Sequence, residues 1–272
     1  MEGTNISYEK RATKALNPAG KRLFELMEEK ETNLALSNDE VDPKRFLELS
    51  EKLGPEIAVL KTHVDIIRDF SPTLTQKLSE LSKKYNFMIL EDSKLADIGN
   101  TVKLQYSEGV YRIADWANLL TVHVVPGPGI IKGIGEVIKE KKDRLSRGML
   151  LLAQMTSEGT LATGKYTEKA VEFGNSNKDV VAGYIGASDI KEIDRLVKLS
   201  FSGHLILTPG IQIKNKGDSL GQQYLAPEEA ILAGSDCIIV GRGIYKAENP
   251  LEMAKTYRKA GWEAYLERIG GR

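Results

Sequence analysis

The feature that most restricts the fold of this chain is an alternation that occurs eight times: a short aliphatic run, a polar break, then an amphipathic segment. The runs cover 33–37, 57–61, 87–91, 119–124, 149–153, 180–185, 204–208 and 237–240. Each is β-branched or aliphatic and is bounded by turn or polar residues, as expected of strands buried on both faces. Helical patterns follow at 43–53, 74–85, 100–109, 129–139, 166–173, 190–199, 227–232 and 250–268. Asp42-Pro43 supplies an N-cap and a proline at the first helical position, and Leu74, Leu78, Leu81 and Tyr85 form one apolar stripe. Eight such units predict an α/β fold, a closed parallel (β/α)8 barrel. An open doubly wound sheet is the alternative.

The 272 residues suit one such barrel, and no linker or change of composition divides them. The expected organisation is therefore a single domain over 1–272. An additional helix at 20–30 covers the barrel bottom or packs on a partner, and 1–17 forms an extended N-terminal segment. Lysine plus arginine equals aspartate plus glutamate at 38 each. Such a chain has no global field to attract nucleic acid or an anionic membrane, so any anion must be caught locally. Cys237 lies in an aliphatic run and is expected to be a buried small hydrophobe. Residues 1–14 are polar, without an apolar stretch for secretion or membrane spanning, so the chain reads as cytoplasmic. His63, His123 and His204 are too few and scattered to suggest a metal site, and hydrogen-bonding structural roles are expected.

A barrel of this kind carries its chemistry at the C-terminal strand ends. The first strand runs into Ser37-Asn38-Asp39, the second into Lys61-Thr62-His63-Val64-Asp65, and the third into Glu91-Asp92-Ser93-Lys94-Leu95-Ala96-Asp97. Lysines and aspartates therefore gather at three consecutive strand ends. Asp92 and Lys94, two apart, point to the same side of an extended chain. Charges converging on a barrel rim must be mutually paired or carry a desolvation cost of several kcal/mol. The fifth strand leads into Gln154-Met155-Thr156-Ser157, the seventh into Thr208-Pro209-Gly210 and the eighth into Gly241-Arg242-Gly243. The last of these offers open backbone amides and a forked cation suited to phosphate.

These blocks, taken in order, resemble the orotidine 5′-monophosphate decarboxylase family, close to its eukaryotic branch and over nearly the whole chain. The resemblance rests on residues 60–65, 92–101, Leu161-Ala162-Thr163-Gly164, Thr208-Pro209-Gly210, 217–224 and 239–243. It implies conversion of orotidine 5′-monophosphate to uridine 5′-monophosphate and carbon dioxide, without metal or cofactor. It further implies that Lys61, Asp92, Lys94 and Asp97 are catalytic, with Lys94 delivering a proton to C6 of the pyrimidine. Substrate contacts are implied for Ser37, Asp39, Lys61, Thr101, Thr156, Pro209, Gln222, Tyr224, Gly241 and Arg242. In the family Asp97 and Thr101 reach the neighbouring subunit's site, which implies a homodimer.

The chain also departs from the family pattern. Ser93 stands where most members have arginine, and Leu95 where phenylalanine is usual. Gln154 and Thr156 replace the glutamate and serine expected after strand five. Asn38 replaces an apolar residue, and Thr121-Val122-His123 replaces Asn-Ala-His. These changes leave open a nucleotide-binding homologue with weak or lost turnover; a related sugar-phosphate barrel enzyme is a third reading. Residues 214–220 are the expected closing lid.

Overall fold

The structure, a computed structural model, describes residues 5–213 and 224–270. Two helices, α1 (Tyr8–Ala12) and α2 (Pro18–Lys30), precede β1 (Leu34–Ser37). There follow α3 (Pro43–Leu53), β2 (Val59–Thr62), α4 (Pro72–Tyr85), β3 (Met88–Leu95), α5 (Gly99–Ser107) and β4 (Leu119–Val122). The chain continues through α6 (Gly129–Glu140), β5 (Gly148–Leu152), α7 (Lys165–Ser176), β6 (Val181–Ile185), α8 (Ile190–Leu199) and β7 (Leu205–Thr208). It ends with α9 (Pro227–Leu232), β8 (Cys237–Val240), the short α10 (Arg242–Tyr245) and α11 (Pro250–Arg268). The strands pair in chain order as a closed parallel barrel. Leu34, Ala35 and Leu36 of β1 lie opposite Ile238, Ile239 and Val240 of β8, which excludes the open sheet. All four residues of β8, Cys237 among them, are buried, as an aliphatic run between barrel interior and helix layer must be.

The N-terminal segment is not extended as expected. Ser7 caps α1, a five-residue helix too short to be stable by itself. Its stability comes from contacts at the far end of the chain. Tyr8 stacks on Tyr265 with ring centroids 3.9 Å apart, and its hydroxyl donates to the Asp236 carbonyl at 2.8 Å. Arg11, equally buried, pairs with the Asp236 carboxylate. At the start of α2, Asn17 accepts from Gly20 N, and its amide donates to the carbonyls of Arg147 and Asp179 at 3.0 Å each. These last two residues lie just before β5 and β6, so α2 lies across the bottom of the barrel. The opposite, C-terminal end is left for chemistry. Among the described residues no helix is long and apolar enough to cross a membrane.

Candidate active site

A cavity of about 320 Å³ opens at the C-terminal ends of the strands. Ser37, Lys61 and Asp92 reach it because they lie on one parity toward the C-terminal ends of their strands. The third strand runs four residues further than its aliphatic run predicted, and it does so through an irregularity. Glu91 lies opposite Leu120 and Leu95 opposite Val122, so residues 92–94 face Thr121 alone. Lys94 takes φ +47°, a left-handed conformation uncommon for a residue with a side chain. In this bulge the Lys94 ammonium lies 2.8 Å from the Asp92 carboxylate.

Asp92 is the centre of the charge array. Its Oδ2 accepts from Lys61 Nζ at 2.7 Å and forms an ion pair with Lys94 Nζ at 2.8 Å. Burial pushes the Asp92 carboxyl up, but the neighbouring Lys61 and Lys94 ammoniums outweigh it and hold it below the usual carboxylate range. His63 Nε2 lies 2.7 Å from Lys61 Nζ. Because an ammonium can only donate, that nitrogen accepts and the ring proton belongs on Nδ1. Burial and then the Lys61 charge lower the His63 pKa, in agreement with a neutral ring. The two lysines differ in access, with the side chain of Lys61 9 % exposed and that of Lys94 34 %. Both line the cavity, and Lys94 is the ammonium more open to an occupant.

The other side of the cavity has different chemistry. Arg242 Nη2 donates to the Tyr224 hydroxyl at 2.8 Å, and Gly241, Arg242 and Gly243 form the junction of β8 with α10. Ile244 N donates to the Gly241 carbonyl at 2.8 Å, so the amides ahead of it in this turn are the ones suited to an anion. Gly243 is required by packing, since a Cβ on it would lie 2.6 Å from the Tyr257 hydroxyl. Ser37 donates to Asp39 at 2.9 Å on the rim, while Leu152, Ile185 and Ile239 supply apolar wall. Counting Lys61, Lys94 and Arg242 against Asp39 and Asp92, the lining carries one more cation than carboxylates.

Ten of the expected site residues line this one cavity: Ser37, Asp39, Lys61, Asp92, Lys94, Thr156, Pro209, Tyr224, Gly241 and Arg242. Asp97 and Thr101 do not line it. Asp97 accepts from Ile98 N at 2.7 Å, and Thr101 is exposed on α5. Gln222 and the expected lid 214–220 lie outside the described residues. Sequence reasoning missed two participants. It assigned His63 a structural role, although His63 lines the cavity and touches Lys61. It treated Thr121 only as a departure, although its hydroxyl donates to Asp92 Oδ1 at 2.7 Å and accepts from Lys94 N at 3.0 Å. Strand parity was the one available signal, since Thr121 lies two residues beyond Leu119 on an interior-facing register.

A (β/α)8 barrel whose strand ends hold a carboxylate between two lysines, opposite an arginine and open amides, defines an enzyme site for an anionic ligand. The sequence profile of the orotidine 5′-phosphate decarboxylase / HUMPS family matches residues 32–257, and the chain belongs to that family. It is 49% identical over 272 residues to orotidine 5′-phosphate decarboxylase of Pachysolen tannophilus, with 99% of each chain covered. The same-named protein of Schizosaccharomyces pombe is 48% identical over 265 residues, 97% of this chain and 96% of that one. Among solved structures, orotidine 5′-phosphate decarboxylase from Pyrococcus horikoshii superposes with a TM-score of 0.65 at 24% identity. It covers 88% of this chain and all of that one, a likeness that bears on the fold.

Proposed function

We propose that the chain decarboxylates orotidine 5′-monophosphate to uridine 5′-monophosphate and carbon dioxide, a step of pyrimidine biosynthesis. The observation that carries this reading is the Lys61–Asp92–Lys94 array beneath a cavity whose far side suits phosphate. The C6–carboxylate bond breaks, carbon dioxide leaves, and its bonding electrons remain on C6. A fixed ammonium at that carbon stabilises the developing carbanion more than the ground state, which is the condition for acceleration. Lys94, the more accessible lysine, then gives its proton to C6. Asp92 holds Lys94 and Lys61 on one oxygen, Arg242 and the β8–α10 amides hold the phosphate, and Asp39 with Lys61 meets the ribose. Thr156 reaches the pyrimidine edge; a threonine keeps the hydroxyl of the expected serine and adds a methyl.

The active unit in this reading is a cytoplasmic homodimer. Asp97 is half-buried and Thr101 exposed on their own subunit, and Ile98 and Leu104 on the same stretch of chain are exposed apolar side chains, 68% and 51% respectively. A second subunit covering them would bring Asp97 and Thr101 to its own cavity. The test of function is direct: metal-stripped protein is mixed with orotidine 5′-monophosphate and the fall in orotidine absorbance is followed. Turnover that survives chelation supports the reading. Tight uridine 5′-monophosphate binding without turnover, or turnover that depends on added metal, sinks it.

A further inference from the structure

The geometry points to Thr121 as a positioning residue for the reaction: its hydroxyl fixes the Asp92 carboxylate and the Lys94 backbone in one arrangement. This rests on the decarboxylase reading above. A hydroxyl has one proton and two lone pairs. The proton is committed to Asp92 Oδ1 at 2.7 Å, and a lone pair accepts the Lys94 amide at 3.0 Å. Both of its directions are therefore set. Thr121 is 1 % exposed, so water does not readily replace it, and branching at Cβ restricts its side chain to few rotamers.

The ladder between β3 and β4 explains why a side chain is needed there. Residues 92–94 lie opposite Thr121 alone, so the bulge forfeits regular backbone pairing. The Thr121 hydroxyl gives the Lys94 amide the acceptor that a strand would have supplied. On the carboxylate, Oδ2 carries both ammoniums while Oδ1 is held by Thr121. With Oδ1 released, the carboxylate can rotate, and the two lysines are no longer confined to one oxygen. Lys94 Nζ then loses its fixed place beside the reacting carbon. The phosphate contacts at Arg242 and Tyr224 are unaffected.

Thr121→Val removes the hydroxyl at nearly constant volume, and Thr121→Ser keeps it. In the full-length protein, Thr121→Val is expected to lower kcat about ten- to a hundredfold, with KM changed less than about threefold. Thr121→Ser should restore kcat to within about threefold. If Thr121→Val does not fold by circular dichroism, Thr121→Ala takes its place. A folded variant lacking the hydroxyl that keeps kcat within about twofold overturns the assignment; so does a lowered Tm with unchanged kcat. Absence of turnover in the unaltered protein would instead refute the function. Positioning is then read from reductive methylation of Lys94 followed by mass spectrometry. Thr121→Val should speed labelling at least about threefold, and equal rates would overturn the proposal.

Discussion

Replacing Glu91 by glutamine separates an electrostatic cost from a packing role, because the two side chains have nearly the same shape. Glu91 is fully buried on β3, next to Asp92 but on the opposite parity. Thr62 Oγ1 donates to one carboxyl oxygen and Ser93 Oγ to the other at 2.7 Å, while Val64 N lies 3.2 and 3.3 Å from the two. Burial pushes its pKa from 4.5 up to about 7, against the pull of those donors. Below pH 4.5 both the folded and unfolded chains hold the proton. Between 4.5 and 7 only the folded chain holds it, so stability falls as pH rises. Above 7 both are ionised and the loss is complete, roughly 3 kcal/mol. Glutamine does not titrate. Urea unfolding at pH 4 and pH 8 should therefore show Glu91→Gln gaining on the unaltered protein by roughly 3 kcal/mol between the two. The comparison cancels the histidines, which titrate in both proteins. Parallel stability profiles for the two proteins would refute the reasoning.

Lys94→Ala should lower kcat at least about a thousandfold, while calorimetry finds the uridine 5′-monophosphate Kd changed less than about tenfold. Rapid residual turnover would exclude Lys94 as proton donor. Arg242→Ala should raise that Kd about ten- to a hundredfold, the worth of a charge-assisted hydrogen bond, and an unchanged Kd would count against phosphate at β8. Asp236→Asn takes the charge from a buried carboxylate that pairs with Arg11, lies 3.5 Å from Arg268 and accepts Ile206 N at 2.9 Å. The expected loss is about 3–5 kcal/mol, or a Tm lower by roughly 10 °C in a thermal melt, with kcat unchanged at 25 °C because the network lies at the far end of the barrel. A shift under about 2 °C would show that the pairing contributes little.

What the sequence made legible follows the range of the interactions involved. The eight aliphatic runs and their helices are local patterns, and β8, α3, α8, α9 and α11 begin and end where those patterns do. Helix α1 depends on Tyr8 meeting Tyr265 and Asp236, more than two hundred residues away, and nothing within residues 1–17 signals those partners. The extension of β3 was hidden for another reason. The polar residues 92–94 look like a loop, and only pairing to β4 on the other side of the bulge makes Leu95 part of a strand. In the site, Lys61, Asp92, Lys94 and Arg242 were legible because charge at a barrel strand end is conspicuous. Thr121 was not, since a threonine in a β-rich run is ordinary until its hydroxyl is seen between Asp92 and Lys94.

The departures from the family pattern have a physical order of their own. Ser93, in place of the usual arginine, donates to Glu91. Asn38, in place of an apolar residue, is buried but donates to the Phe46 carbonyl and Ser50 Oγ at 3.0 and 3.1 Å and accepts from Glu40 N. Gln154, in place of glutamate, donates to the carbonyl and carboxylate of Glu192 and accepts from Ala187 N at 3.0 Å. A second glutamate at position 154 would instead set two carboxylates against each other there. Each change is thus matched by a neighbour of complementary hydrogen-bonding type, which is the condition for a buried polar group to be tolerated. None of the three removes a contact of Lys61 or Lys94 with Asp92. The charges of Lys61, Asp92 and Lys94 stay fixed while the polar groups around them vary in matched sets. Gln154→Glu should therefore lower kcat, because it sets a carboxylate against Glu192 at the cavity wall; an unchanged kcat would count against the matched set.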